Sequence, residues 1–128
     1  MKIGFTGTQE GMTENQLGAL KLFLLEHEEG HFHHGDCVGA DFQAATLAKT
    51  LDWWVVGHPP DSDKKRAFFC SDFNHPAMPY LERNQAIVND VDILVAAPKT
   101  EKEQLRSGTW ATIRYARKRG IQIVILKP

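Results

Sequence analysis

Two stretches of the chain, VDILVAA at 91–97 and IQIVIL at 121–126, are apolar at nearly every position. A strand with one wet face alternates apolar and polar side chains, so unbroken runs of this length describe strands covered on both faces. Such strands belong to parallel sheets with helices packed above and below. Residues 2–5 and 53–56 read as strands from their β-branched and aromatic content, as do 91–96 and 121–126 within the apolar runs. Residues 31–34 have weaker propensity but end at Gly35, where a turn is expected, and complete the set.

Helical patterns lie between these strands. Thr13 reads as an N-cap with Gln16 as its capping-box partner, and Leu17, Leu20 and Leu24 follow at helical spacing up to Gly30. Residues 41–51 put Phe42, Ala45 and Ala48 on one face, and 80–89 do so more loosely with Leu81, Ile87 and Val88. A last helix over 108–119 carries Trp110, Ile113 and Arg117 in step and stops at Gly120, a normal residue just past a helix end. Strict alternation with right-handed crossovers predicts a three-layer α/β/α sandwich around a mostly parallel sheet of about five strands. Residues 57–78, with Pro59, Pro60 and Pro76, form an irregular connection longer than loops usually are, which points to a function for it.

Composition narrows the function classes. A length of 128 residues fits one domain spanning 1–128, and 42% hydrophobic with 24% charged residues excludes whole-chain disorder. Fifteen Lys and Arg against sixteen Asp and Glu give a charge of -1, too balanced to hold a phosphate backbone non-specifically. Cys37 and Cys70 are too few for a disulfide framework, and MKIGFTGTQEG lacks the apolar run of a signal peptide, so a cytoplasmic protein is expected. No apolar stretch approaches the roughly 18–20 residues of a membrane span.

Ligands of parallel sheets lie beyond the carboxyl ends of the strands, which directs attention to the segment after each strand. Gly7, Thr8 and Gln9, leading toward Gly11, offer bare backbone and hydroxyls to a phosphate, although a tight strand-to-helix turn explains the same residues. The next loop, His34-Gly35-Asp36-Cys37-Val38-Gly39-Ala40-Asp41, carries two acids suited to ribose hydroxyls. A helix cap at Asp41 and a turn at Asp36 are the plain alternatives. Cys37 sits where a thiol pKa can fall, but a small semi-buried residue is the commoner reason for a cysteine there. His31, His33, His34 and Cys37 match no zinc pattern, and neighbouring strand residues point to opposite faces, so no metal is expected. Of the histidines, His34 at the strand end belongs in the site. Arg83, beside Asn84 in an apolar helical setting, finds an anion if drawn inward, or pairs with Glu82 or Asp90 at the surface. Ser107, Gly108 and Thr109, preceded by Arg106, open the last helix and form the best phosphate cradle, with a plain capped start as the alternative.

Taken together, GTQ, HGDCVGAD, GHPP leading to KKRAF, YLERNQAIV and RSGTWATIRYA resemble, in that order, the SLOG superfamily, from residue 4 to about 116. This Rossmann-like group includes the LOG phosphoribohydrolases and the DNA-processing protein A family, and the chain looks most like its small stand-alone branch. The resemblance implies a nucleotide-derived ligand with phosphates at Ser107, Gly108 and Thr109 and ribose near Asp36. The hydrolases carry Pro-Gly-Gly, any residue, Gly-Thr and then a Glu three positions later, a place taken here by Thr112. Arg83 matches the arginine those hydrolases keep. The expectation is therefore a binding protein, sensor or sequestering, for an ADP-ribose-like or cyclic nucleotide signal, with no further cofactor. The alternative is an N-glycosidic hydrolase or transferase acting on a nucleoside monophosphate, with Asp36 or Glu82 replacing the missing acid and Arg83 holding phosphate. A single-stranded DNA binder using Arg114, Arg117, Lys118 and Arg119 with Trp110 is a third and weaker reading. Trp53, Trp54, Phe68, Phe69 and Phe73 exceed what one small core covers, so a dimer or larger homo-oligomer is expected.

Overall fold

The computed structural model describes residues 1–27 and 30–128. The strands are β1 (Lys2–Gly7), β2 (His31–His34), β3 (Trp54–Gly57), β4 (Phe73–Asn74), β5 (Ile93–Ala97) and β6 (Gln122–Ile125). The helices are α1 (Glu14–Glu26), α2 (Ala40–Thr50), α3 (Tyr80–Asn89) and α4 (Gly108–Arg119). All six strands pair in parallel, in the order β4-β3-β2-β1-β5-β6. The sheet thus has one strand more than expected. β4 lies inside 57–78, and two residues are too few to impose a hydrophobic period that could be read beforehand.

The β5 run behaves as its composition requires, whereas β6, at the sheet edge, is only half-buried. From β5, Ile93, Val95 and Ala97 join Ile3, Phe5, Phe32 and Val55 under α1 and α2, whereas Leu94 and Ala96 face α3 and α4 with Val88, Ile113 and Ala116. Every residue of β5 is buried because both of its faces are used. Ser107 and Gly120 delimit α4, the latter at φ 76°. α1 begins with the expected capping box and stops at Glu26; the expected extension toward Gly30 falls partly on residues 28–29, outside the described residues. Among the described residues no helix is long and apolar enough to cross a membrane.

The chain starts mid-sheet, works outward through β2, β3 and β4, and then returns to place β5 on the other side of β1. Gly7 is in register with Ala97, so both strands end level. Their continuations run to helices on opposite faces, opening a crevice between them. One side chain ties this edge together. Gln16, buried, donates through Nε2 to the carbonyls of Pro98 (2.8 Å) and Leu126 (3.1 Å) while its Oε1 accepts from Thr13 N–H (3.0 Å). Gln16→Leu strands two buried carbonyls and half of the capping box, and an expected loss of about 2–4 kcal/mol will appear as a lower urea midpoint at unchanged m-value.

Candidate functional site

The outer part of the crevice is a cleft of about 260 Å³ between the loop after β1 and the start of α4, lined by Gly7, Thr8, Gln9, Glu10, Tyr80, Lys99 and the Ser107, Gly108 and Thr109 turn. Gly7 is fixed by packing, since a Cβ there would sit 2.6 Å from the Ala40 Cβ. The turn after it is held from three sides. Thr8 N–H donates to the Ala97 carbonyl (3.1 Å), and the Thr8 carbonyl accepts from Gly11 (3.2 Å) and Ala40 (3.0 Å). Opposite it, the Ser107 hydroxyl accepts from Trp110 N–H (3.2 Å), leaving the N–H groups of Gly108 and Thr109 without an acceptor in their own helix. Those donors and the positive end of α4 favour an anion. Lys99 adds a cation on the rim, paired with Glu10 at 2.8 Å in an exposed and therefore weak ion pair.

A smaller, deeper pocket continues inward, with Gly35, Cys37, Asp41, Arg83 and Asn84 in its wall. Arg83 is buried there, and its guanidinium is largely committed to the protein. It donates to the carbonyls of Gly35 and His58 (the latter at 3.2 Å), to Asn84 Oδ1 (2.9 Å), and to Cys37 Sγ at 3.5 Å. Glycine at 35 is obligatory, because a Cβ would lie 2.5 Å from Arg83 Nη1 and 2.8 Å from Asp41 Oδ2. Asp41 is 6% exposed; Oδ2 accepts from Cys37 N–H (3.2 Å) and Oδ1 has no partner. Burial pushes this carboxyl up to about 6, although the Arg83 charge pulls the other way. Burial, with Asp41 beside it, also raises the Cys37 thiol, the opposite of what an activated nucleophile needs.

Of the residues expected in the site, Gly7, Thr8, Gln9, Ser107, Gly108 and Thr109 meet in the outer cleft, and Gly35, Cys37, Asp41, Arg83 and Asn84 in the inner pocket. His34, Asp36 and Arg106 line neither. His34 is buried behind the wall, its Nε2 paired with Ser71 Oγ (2.8 Å) and its Nδ1 accepting from Asp36 N–H (3.0 Å). The ribose expectation for Asp36 needs correcting. Its carboxylate turns to the connection after β3, accepting from Arg66 Nε (3.0 Å) and Phe69 N–H (2.9 Å), while its carbonyl accepts from Ala67 N–H (2.8 Å). Arg106 is exposed to solvent. Tyr80, Lys99 and Glu10 are additions that the sequence did not single out; Tyr80 opens α3 within the YLERNQAIV motif, whereas no pattern marks Lys99. The basic face considered for DNA is engaged only in part, since Trp110 is buried and Arg114 and Arg117 both bind Glu103, at 2.9 and 3.2 Å, while Lys118 and Arg119 are exposed.

No protein-family model and no curated protein matches the chain. Solved structures do. The molybdenum cofactor binding protein of the phototrophic bacterium Rippkaea orientalis superposes with a TM-score of 0.74 at 21% identity, over 97% of this chain and 74% of that one. The Moco carrier protein of Chlamydomonas reinhardtii gives 0.71 at 20% identity, over 98% and 75%. DNA processing protein A of Streptococcus pneumoniae gives 0.71 at 16% identity, over 97% of this chain and 49% of that one. These likenesses show the fold, a Rossmann-like α/β arrangement. Within it the crevice occupies the strand-order reversal, the position at which open α/β sheets take their ligands.

Asp41 gives the site a pH signature. With a value near 6 against an ordinary value of 3.8, the folded protein binds more protons than the unfolded chain between those limits, so stability falls as pH rises from about 4 to 6. Asp41→Asn is expected to exceed the wild type by about 1–3 kcal/mol at pH 7, with the gap closing below about pH 4, as read by chemical denaturation at both values.

Proposed function

We propose that the protein binds a phosphorylated, nucleotide-derived small molecule in the crevice between the β1 and α4 loops and holds it intact. The observation that carries this reading is the meeting, in one cleft, of the free N–H groups of Gly108 and Thr109, the Thr8 turn and Lys99. The phosphate end takes the Gly108 and Thr109 side of the outer cleft and the heterocycle the rest of it, since the inner pocket, of about 20 Å³, admits no more than a water-sized group. An ADP-ribose-like or cyclic nucleotide signal has both parts. Two proteins of the same architecture carry names that say they bind or carry the molybdenum cofactor, which supports a cargo of this size and places that cofactor on the test panel.

Holding is favoured over glycosidic cleavage by the state of the groups expected to replace the missing Glu. Asp36 is engaged by Arg66 and Phe69, Glu82 is exposed outside both pockets, and Thr112 donates its hydroxyl to the Gly108 carbonyl at 3.0 Å within α4. Assembly into a dimer or larger unit belongs to the same reading. Trp53 is buried and Phe69 half-buried, but Trp54, Phe68 and Phe73 are 50%, 59% and 52% exposed, and surface of that kind supports an interface. Cys37 and Cys70 are unpaired thiols, which supports a reducing, cytoplasmic setting.

The test is incubation with a panel of adenine and guanine nucleotides, dinucleotides, ADP-ribose derivatives and the molybdenum cofactor, then native mass spectrometry. One compound retained intact is expected, with Lys99→Glu weakening it at least about tenfold, or about 1.4 kcal/mol, at an unchanged melting temperature. Free base appearing in the mixture overturns holding, and an empty protein throughout overturns binding.

A further inference from the structure

The β3-to-β4 connection contains no helix, so the sheet face opposite α1 and α2 lacks a helical cover over β2, β3 and β4. Parallel register gathers histidines on that face. His33 of β2 is in register with Val56 of β3, and Val56 with Phe73 of β4. His58 and His75 lie two residues beyond Val56 and Phe73, and the ladder is carried on by His58 N–H to the His34 carbonyl (2.8 Å) and His75 N–H to the Gly57 carbonyl (2.9 Å). Side chains two apart share a face. Asp90, the C-cap of α3, closes the group from the side.

The distances suit a metal ion. His33 Nδ1 is 2.8 Å from His58 Nε2 and 3.5 Å from Asp90 Oδ2, and His75 Nε2 is 3.9 Å from the same Asp90 oxygen. The His33, His58 and Asp90 donor atoms all lie within 4.8 Å of one another. Tetrahedral zinc, with ligands about 2.0–2.2 Å from the ion, needs donors roughly 3.3–3.5 Å apart. Two imidazole nitrogens and a carboxylate oxygen face one another, and the His33–His58 pair, which now shares a single proton at hydrogen-bond distance, needs to open by only about 0.5 Å to admit the ion in its place. We propose that His33, His58 and Asp90 form a three-ligand site for a divalent transition metal of the zinc class, with the fourth position left to solvent. Desolvation by burial pushes His33 down to about 4 and His58 to about 3, so both offer lone pairs at neutral pH, as ligation requires. The site lies outside the crevice, joined to its wall through the His58 carbonyl, which accepts from Arg83.

Tag-free protein, stripped with chelator and titrated with Zn²⁺ alone by calorimetry, is expected to take up one equivalent per chain. Asp90→Asn alters a partly exposed side chain and is expected to fold, and it should weaken binding tenfold or more; His58→Gln should do the same. His27→Gln, remote from the cluster in chain position, should leave binding unchanged. Co²⁺ in place of Zn²⁺ should give the intense visible absorption of a tetrahedral site, lost in Asp90→Asn. No Zn²⁺ uptake, or uptake equal to wild type in folded Asp90→Asn, overturns the assignment.

Discussion

The buried Arg83 guanidinium is the interaction on which the functional edge of this molecule is built. An unpaired cation inside a protein is expensive, and here the compensation comes from carbonyls and polar side chains: Gly35, His58, Asn84 and the Cys37 sulfur. Those groups belong to the loops after β2 and β3 and to α3 itself. One side chain therefore holds three separate chain segments at fixed spacing. It explains why position 35 tolerates only hydrogen at its Cα, and why a carboxyl as deeply buried as Asp41 is not driven further from its ordinary range.

Topology does the remaining positioning. Returning the chain to β1 before adding β5 brings a strand end and a helix start from opposite layers to one crevice, with no need for a long loop to span it. The same economy fails on the far side, where a helix-free crossover leaves β2, β3 and β4 to be covered by turns. Polar ring side chains collect there instead of aliphatic ones. The two halves of the sheet thus present different chemistry: an anion-seeking edge at the order reversal and a cluster of neutral nitrogen donors beside α3.

Fold and site differed in how far the sequence disclosed them. The run in β5 could be read because two-sided burial leaves its mark on consecutive residues, β6 from its β-branched composition although it is only half-buried at the sheet edge, and α1 and α4 because caps and period are local, with α3 resting on period alone. β4 left no mark, being held by its pairing with Val56 and Gly57 rather than by its own pattern. Within the site, the glycine-hydroxyl turns at 7–9 and 107–109 were legible since their chemistry lies in the backbone. Asp36 was misread because its deciding partners, the Arg66 guanidinium and the Phe69 amide, come 30 and 33 residues later. The histidine group escaped for a similar reason. Spacing along 31–34 argued correctly that His33 and His34 diverge, but said nothing of His58, 25 residues on.

Gln16 gives the molecule a further property. Its amide joins the first turn of α1, the carbonyl of Pro98 at the rim beyond β5 and the carbonyl of Leu126 after β6. These three places would ordinarily fray separately, as helix starts, surface loops and chain ends do. Linked through one buried side chain, they open together. Opening of the crevice rim at Pro98 is therefore expected to release the end of β6 as well, and amide hydrogen exchange in that strand would report it.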